Sequence, residues 1–202
     1  LRMSLSSGQR SVAMIVGRDT ADMDTEQVSR AAIESMAENF SDGFVAPVFW
    51  FLVAGLPGIV IYKAINTSDS MIGYKTRTFK DFGWATARVD DVLNWIPARL
   101  SAFCIWAITG FPVKWQLIAK NANMHRSPNA GWPEAAMAYA LEISLSGPRS
   151  YEGQMQKFPW VNPVGRKNIG PSDIDNAIRI LWATWVGMLA LVTALAILFF
   201  FL

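Results

Sequence analysis

Residues 180–202 form an apolar run without a charged side chain, and this run constrains the fold more than any other feature of the sequence. It exceeds the roughly 20 residues that an α-helix needs to cross the hydrocarbon core of a bilayer. Trp182 and Trp185 stand at its start, where amphipathic rings favour the headgroup level. Three basic residues precede it: Arg166, Lys167 and Arg179. Because basic residues mark cytoplasmic flanks, the run predicts a transmembrane helix whose preceding region faces the cytoplasm.

Two further apolar runs predict membrane-associated helices. Residues 44–64 are long enough to span, but Pro47 and Leu56-Pro57-Gly58 interrupt them, and proline removes a backbone donor and kinks helices. We interpret this run as a broken span or a re-entrant hairpin packed in protein. Residues 92–111 contain Arg99, which is costly at membrane depth unless it is paired. We expect this run to dip into the membrane and return.

The runs together predict an all-α, multi-spanning helical membrane protein with broken or re-entrant helices and cytoplasmic polar loops. We expect a single membrane-embedded domain over residues 1–202. Its polar loops are residues 65–91 and 113–179. If residues 92–111 crossed the bilayer once, these loops would lie on opposite sides. If the run dips and returns, both loops face the cytoplasm and can share one site.

Composition agrees with a membrane protein and excludes nucleic acid as a partner. Hydrophobic residues make up 52% of the chain, above the roughly 45 to 50% typical of soluble domains. The 18 basic and 16 acidic residues are scattered, without a block of like charges that would bind nucleic acid. The sequence contains neither a G-x-x-x-x-G-K-[ST] phosphate loop nor a G-x-G-x-x-G motif. Any use of a nucleotide would therefore need a different cradle.

Residues 25–42 predict one amphipathic helix, with Asp24 or Thr25 as its cap. Four charged residues recur one turn apart on one side of it: Arg30, Glu34, Glu38 and Asp42. The three carboxylates of this row could hold Mg²⁺ through oxygen ligands or grip an amine. The alternative is a solvated helix face with ion pairs four residues apart.

Polar residues flank the next two apolar segments. Asn66 and Asp69, three residues apart, could coordinate a metal-bound phosphate, with Lys75 as a point charge on phosphate oxygens. A capped turn is the alternative. Asp90 and Asp91 are adjacent on a predicted helix, so only one of them can share a face with a given neighbour.

The residues around this acidic pair suggest either a site or a structural role. Asn94 follows the pair by one turn, and Arg88 precedes it. The group could bind metal and phosphate. The alternative is an ion pair at the membrane interface, in which Asp90 or Asp91 pairs with Arg88 or Arg99.

Residues 125–134 are the most unusual stretch, because they contain the only histidine together with two prolines and a glycine. Such a loop has a defined shape, and its donors could surround an anion. His125 titrates near neutral pH and has Asn129 and Glu134 close in sequence, so we predict these three as catalytic residues. A structural, hydrogen-bonding histidine is the alternative. A helix is expected at residues 133–145.

Six segments, in this order, resemble the CbiB/CobD family, the adenosylcobinamide-phosphate synthase of cobalamin biosynthesis. They are VGRDT at 16–20, SRAAIESMAEN at 29–39, DGFVAP at 42–47, YKAINTSDSMIGYK at 62–75, DFGWATARVDDVLNWIPARL at 81–100 and HRSPNAGWPEAAMAYAL at 125–141. The resemblance runs from about Val16 to about Gly153. No single segment would be specific, but the six in order are.

The resemblance implies an inner-membrane enzyme that uses ATP to join the carboxylate of adenosylcobyric acid to the amine of aminopropanol phosphate. The carboxylate must first be activated, as an acyl phosphate, and this demands Mg²⁺, phosphate-binding cations and a base. The lipid bilayer and the corrinoid substrate are then partners. The resemblance is also compatible with a homo-oligomer or with association with other membrane enzymes of the cobalamin pathway.

Side-chain chemistry alone, with no catalytic residues carried over from the family, gives each candidate residue a hypothetical role. The predicted metal ligands are Glu34, Glu38, Asp42, Asp69, Asp90 and Asp91. The predicted substrate and phosphate contacts are Arg18, Lys63, Asn66, Lys75, Arg88 and Asn94. The predicted catalytic residues are His125, Asn129 and Glu134.

Two other functions remain as alternatives. The first is a non-enzymatic membrane regulator related to AmpE, which shares a remote version of the WIPARL pattern. The second is a Mg²⁺-dependent membrane transferase acting on isoprenoid diphosphates, suggested by Asn66-x-x-Asp69 and Asp90-Asp91. The transferase would require a lipid-accessible groove beside those acids.

Overall fold

The computed structural model describes residues 4–72 and 80–201, and most of this part of the chain is helical. The helices are α1 (Leu5–Ala13), α2 (Thr25–Phe40), α3 (Ala46–Ile72), α4 (Lys80–Leu93), α5 (Trp95–Ile108), α6 (Trp115–Ala122), α7 (Gly131–Ala140) and α8 (Pro171–Phe201), with a π-helical turn at Ser41–Val45. Four short strands follow α7: β1 (Leu145–Ser146), β2 (Arg149–Tyr151), β3 (Gln154–Gln156) and β4 (Trp160–Val161).

The fold is mostly helical, as predicted, and four strands of two or three residues add a minor β component that the sequence did not predict. β1 pairs antiparallel with β4, and β2 pairs antiparallel with β3. The predicted helix at 133–145 was also misplaced, since α7 starts two residues earlier and ends at Ala140. Glu142 adopts a φ of 55°, a left-handed conformation that cannot continue a helix. The segments predicted as polar loops also contain helices, namely most of α4 together with α6 and α7.

Helix α2 begins as the sequence predicts and ends differently. Asp24 is its N-cap, accepting a hydrogen bond from the backbone N–H of Gln27, whose side chain accepts one from Asp24 in a capping box. The helix was predicted to end near Asp42 and Gly43. Instead it passes through the π-helical turn into α3, an irregularity often found at functional sites.

Two helical stretches are apolar and long enough to cross a membrane by length and composition, residues 25–71 and 171–198. The first is not straight. The Tyr62 hydroxyl donates a hydrogen bond of 2.9 Å to the carbonyl of Asp42, whereas a straight helix would separate these residues by about 30 Å. The chain reverses at Ala54 and Gly55, whose backbone is not helical.

The reversal makes α3 a helical hairpin with arms 46–53 and 56–72. The first arm is about 12 Å long, against a hydrocarbon core of roughly 30 Å. Leu52, Val53 and Leu56 at the tip are 58%, 60% and 70% exposed. The run at 44–64 therefore forms a helical hairpin, as one of its two interpretations expects, and not one regular helix.

The hairpin depends on glycine at its tip. Gly55 has φ 62° and ψ −150°, a region that other residues avoid at a cost of about 1–3 kcal/mol. We expect Gly55→Ala to lower the free energy of unfolding by about that amount, measured by thermal unfolding in detergent. Gly43→Ala is the matched control, because that glycine is helical and an added Cβ meets nothing within 4 Å. Equal stability of the two variants would contradict this account of the tip.

Helices α5 and α6 form a second pair of helices that are joined by a reversal of the chain. α5 runs from Trp95 to Ile108, and the chain turns through Gly110 and Phe111, which have φ values of 78° and 58°. α6 then returns, and beyond it the Asn129 side chain donates a hydrogen bond of 2.8 Å to the carbonyl of Asp91. This contact joins the polar segments on either side of residues 92–111. The run itself forms one helix, and the chain returns through α6, beyond the run.

The core lies between these elements. α7 is buried along its length and packs on α5, α6 and α2. α8 packs its beginning on α2 and α5, while only 6% of an apolar 18-residue window within this helix is buried. Asp173 fixes the start of α8 by accepting hydrogen bonds from Gly170 N and from the guanidinium of Arg166. The long exposed part of α8 is the apolar run recognised in the sequence.

Candidate functional site

A cleft of about 680 Å³ opens where α2, the second arm of the α3 hairpin, α4 and the 125–134 loop meet. This volume lies within the range usual for ligand sites. Thirteen of the fifteen residues predicted from the sequence line it: Arg18, Glu34, Glu38, Asp42, Lys63, Asn66, Asp69, Asp90, Asp91, Asn94, His125, Asn129 and Glu134. Segments far apart in sequence thus converge on one place.

Two predicted residues do not belong to the lining as described. The Arg88 side chain is 66% exposed, lies 3.7 Å from the Asp91 carboxylate and stacks on the Trp84 ring at 5.9 Å. This is the structural ion pair weighed as the alternative, so Arg88 is not retained as a phosphate ligand. Lys75 lies outside the described residues.

One wall of the cleft is built from carboxylates and amides. Asp90 accepts hydrogen bonds from the side-chain amides of Asn66, at 3.3 Å, and Asn94, at 2.9 Å. Asn94 is buried, and its carbonyl accepts a hydrogen bond from the Tyr62 hydroxyl. Burial raises the pKa of Asp90, while the two amides and Lys63 oppose the shift. The hairpin reversal is therefore what brings Tyr62 and Asn66 to the acids of α4.

The same wall was predicted to bind Mg²⁺. Among the described residues, no group of three or more His, Cys, Asp or Glu side chains is arranged to hold a metal ion. Asp42, Asp69, Asp90 and Asp91 line one open wall, which is the donor type that Mg²⁺ takes. Mg²⁺ usually keeps several waters and binds one or two carboxylates together with substrate phosphates. The residues present therefore fit a Mg²⁺ ion that keeps most of its waters better than a tightly held resident metal.

Glu34 has a different role from the one predicted. Its Oε2 pairs with the guanidiniums of Arg18 and Arg149, the latter at 3.0 Å, and its Oε1 accepts a hydrogen bond of 2.7 Å from Ser146 N. Its side chain is 7% exposed. Because both oxygens are occupied by protein donors, we do not retain Glu34 as a metal ligand.

The beginning of the charged row on α2 is not a solvated face. Arg30 and Glu34 are 7% and 6% exposed. Arg30 donates hydrogen bonds to the carbonyls of Ser144 and Lys167 and stacks on the Trp160 ring at 5.0 Å. The charges at this end of the row are thus buried against the loops that follow α7, which the ion-pair alternative did not predict.

His125, in the loop before α7, and Glu134, on α7, form a pair at the cleft, with side chains 19% and 5% exposed. His125 Nε2 lies 3.6 Å from Glu134 Oε2, and its Nδ1 accepts a hydrogen bond of 3.0 Å from Ser127 N. Burial raises the pKa of Glu134 well above its usual value and lowers that of His125. Near neutral pH, both shifts favour a pair that carries no net charge. Such groups are suited to exchange a proton with a substrate.

Two buried polar atoms beside this pair have no hydrogen-bond partner among the described residues. They are Oε1 of Glu134 and Oδ1 of Asn129, on side chains 4% and 5% exposed. An unpaired buried oxygen costs about 1–3 kcal/mol, so native proteins rarely leave one without purpose. Both residues line the cleft, and these oxygens are candidate contacts for a bound molecule.

Sequence reasoning missed Arg149 and Tyr151, which line the cleft from β2. Gly147 and Pro148 mark a turn there, but turn composition does not reveal which cation will meet a carboxylate 115 positions away. Tyr62 was also missed, because a tyrosine inside an apolar run is expected to be an ordinary residue of the hydrophobic core. Only the hairpin reversal explains why its hydroxyl lies within hydrogen-bonding distance of Asp42 and Asn94.

Comparison with known proteins gives the chain a family. Residues 1–181 match the model of the family described as CobD/Cbib protein. Relatives named cobalamin biosynthesis protein CobD come from Brucella anthropi, 48% identical over 94% of this chain and 60% of the relative, and Rhodobacter capsulatus, 47% identical over 96% and 62%. A third comes from Sinorhizobium fredii, 49% identical over 88% and 57%.

The chain spans about 60% of the length of these curated relatives. No solved structure matches it significantly. The six segments of the resemblance all lie within the matched residues, and they supply most of the cleft lining. The chain therefore belongs to the CobD/CbiB family.

Proposed function

We propose that this chain catalyses ATP-dependent amide formation in cobalamin biosynthesis, joining adenosylcobyric acid to aminopropanol phosphate to give adenosylcobinamide phosphate. Family membership supports the pathway. The observation that carries the reaction type is the His125–Glu134 pair, half-buried at His125 and buried at Glu134, which faces the same cleft as the carboxylate wall. One side of the cleft suits proton transfer and the other suits Mg²⁺ and phosphate. The presence of both kinds of group in one cleft favours the ligase over the AmpE-like regulator and the isoprenoid transferase.

The His125–Glu134 pair acts on the amine. At neutral pH the amine of the second substrate is an ammonium, which cannot attack a carbonyl carbon until it loses a proton. The pair accepts this proton, because Ser127 N–H holds Nδ1 and leaves Nε2 and the carboxyl group for exchange. Asn129 and the free oxygen of Glu134 orient the amine by accepting its hydrogen bonds.

The carboxylate wall acts on the nucleotide. Asp42, Asp69, Asp90 and Asp91 are the residues that would hold Mg²⁺. Bound Mg-ATP would supply the phosphoryl group that activates the corrinoid carboxylate. Lys63 lies 3.4 Å from Asn66 Oδ1 and is exposed to the cleft, where its ammonium balances phosphate charge. Glu38 lines the cleft beside this wall.

A single inner-membrane domain with its cleft facing the cytoplasm completes the proposal. α8 is the spanning element, and its basic flank supports cytoplasmic placement of the preceding region. The apolar tip of the α3 hairpin and the turn between α5 and α6 enter the bilayer without crossing it. This arrangement keeps the cleft in the compartment that holds ATP. It is also compatible with a homo-oligomer or with neighbouring pathway enzymes.

The reaction is tested with purified protein in detergent, adenosylcobyric acid, aminopropanol phosphate and Mg-ATP, with the amide product measured by mass spectrometry. Asp69→Asn should raise the Mg²⁺ concentration for half-maximal rate by about tenfold, equivalent to ~1.4 kcal/mol. Asp22→Asn, an exposed acid outside the cleft, is the control and should change nothing. Absence of amide product from folded protein would overturn the proposed reaction. A normal Mg²⁺ dependence in Asp69→Asn would overturn the metal assignment alone.

A further inference from the structure

A second, smaller cavity adjoins the cleft. Its volume is about 110 Å³, and it shares His125, Arg149 and Tyr151 with the cleft. Arg126 and Phe158 also line this cavity. Neither of these two residues lines the larger cleft.

Two guanidiniums meet at this cavity on one aromatic ring. The Arg126 and Arg149 guanidinium carbons each lie 4.4 Å from the centroid of Phe158. The two charges are therefore separated by at most twice that distance. Tyr151 packs edge-on against the same ring at 6.1 Å. The Arg149 guanidinium donates to the Glu34 carboxylate at 3.0 Å and to Ser146 Oγ at 3.4 Å, so the donors left for a further acceptor are its Nε and the remaining N–H groups of Arg126.

The charge around the cavity is not balanced by protein. Arg149 shares the Glu34 carboxylate with Arg18, so one carboxylate serves two cations. Within the described part of the chain, the hydrogen-bond acceptor of Arg126 is uncharged: it is Gln156 Oε1, at 3.0 Å. No carboxylate lines the cavity among the described residues. In addition, the buried Nε of Arg149 has no hydrogen-bond partner there.

Such a site favours a small anion with several oxygens. Guanidinium groups bind phosphate through paired N–H donors, and an anion relieves the repulsion between two nearby cations. The cavity has room for only a few atoms, since a single water occupies roughly 30 Å³ of liquid. It is too small for a nucleotide or a corrinoid but accepts a terminal phosphate group.

We propose that Arg126 and Arg149, held on Phe158, form the binding site for the phosphate group of the amine substrate. This inference rests on the proposed amide-forming function. His125 borders both cavities. A substrate held by its phosphate in the small cavity therefore extends its amine past His125 toward Glu134 and the cleft.

Binding is measured by calorimetry in the absence of nucleotide and corrinoid, with inorganic phosphate, aminopropanol phosphate and free aminopropanol as separate probes. Arg126→Gln is the variant, because Arg126 is exposed and Arg149 also pairs with buried Glu34. We expect Arg126→Gln to weaken binding of both phosphate-containing probes by about tenfold and to leave free aminopropanol unchanged. Arg10→Gln, an exposed arginine that lines neither cavity, should bind all three as the unchanged protein does.

The steady-state assay separates the two sources of a terminal phosphate. Arg126→Gln should raise the KM for aminopropanol phosphate by about tenfold and leave the KM for ATP unchanged. A rise in the KM for ATP instead would assign the cavity to the nucleotide and overturn the inference. Wild-type protein that does not bind inorganic phosphate, or Arg126→Gln that binds it normally, would also overturn it. Phosphate binding that depends on Arg126 in a protein making no amide would support the cavity and contradict only the proposed reaction.

Discussion

His125→Ala is expected to lower kcat for amide formation by about 10²- to 10⁴-fold, the usual contribution of a positioned base. The reason is that the ammonium of the amine substrate must lose its proton in a buried site, where His125 Nε2 and Glu134 Oε2 lie 3.6 Å apart. The KM for ATP should change little, because the carboxylate wall lies on other elements. Rates at saturating substrates, followed by mass spectrometry of the product, measure the effect.

The pH dependence gives this prediction a second readout. Burial lowers the pKa of His125 below its usual 6.5. A base must be neutral, so activity is retained through pH 6.5 and is lost only as the pH falls through the lowered pKa. The acid limb of kcat/KM in the wild-type protein should therefore lie below pH 6.5. In His125→Ala that limb should disappear from the residual activity.

Two further variants decide whether His125 and Glu134 act as one unit. Glu134→Gln should lower kcat by a factor similar to that of His125→Ala. The double variant should lower kcat little more than either substitution alone, because the effects of residues that act as one unit do not add. Asn123→Ala, exposed in the same region of the chain, should leave kcat unchanged. Additive losses in the double variant would contradict a shared proton-transfer role. Normal kcat in His125→Ala would remove it from the catalytic residues.

Glu34→Gln is expected to be the most destabilising of the single substitutions considered. The change keeps the shape of the side chain and its acceptor for Ser146 N, but it leaves the cations of Arg18 and Arg149 without their carboxylate. Uncompensated buried charges cost about 3–5 kcal/mol. At roughly 2–4 °C per kcal/mol for a chain of this size, the midpoint of thermal unfolding should fall by about 10 °C.

The control for this prediction is Glu152→Gln, which removes an exposed carboxylate from the turn between β2 and β3. Its unfolding midpoint should stay within about 1 °C of the wild-type value, since surface charges contribute little. Thermal unfolding followed by circular dichroism in one detergent compares the three proteins. A Glu34→Gln midpoint equal to that of Glu152→Gln would show that the two arginines do not depend on Glu34.

Much of the fold could be predicted from local sequence because the relevant signals are local. The capping box at Asp24 and Gln27 lies within one turn, and it marked the start of α2 correctly. The end of that helix could not be predicted in the same way. A π-helical turn differs from an α-helical turn by one residue in hydrogen bonding, and no residue in Ser41–Val45 demands it. The short strands after α7 could not be predicted for a related reason, since strands of two or three residues show no periodic pattern in the sequence.

The candidate site could be predicted in outline because polar residues next to apolar runs must lie at the edge of a membrane-facing core. The roles of individual residues depended on partners that sequence spacing does not reveal. Glu34 was predicted as a metal ligand from its row on α2, whereas its partners Arg18 and Arg149 come from 16 and 115 positions away. Arg88 was predicted to hold phosphate, whereas it pairs with Asp91 on its own helix.

The sequence by itself determined the apolar character of α8, because length and composition decide whether a helix can enter lipid, and neither depends on neighbours. It also determined that residues 44–64 could not form one regular span. Only the tertiary structure decided that this run reverses at Gly55 and brings Tyr62 to Asp42. Side-chain contacts across such a reversal depend on the direction of the whole chain. For that reason the cleft, and the pairing of Arg149 with Glu34 inside it, came from the fold.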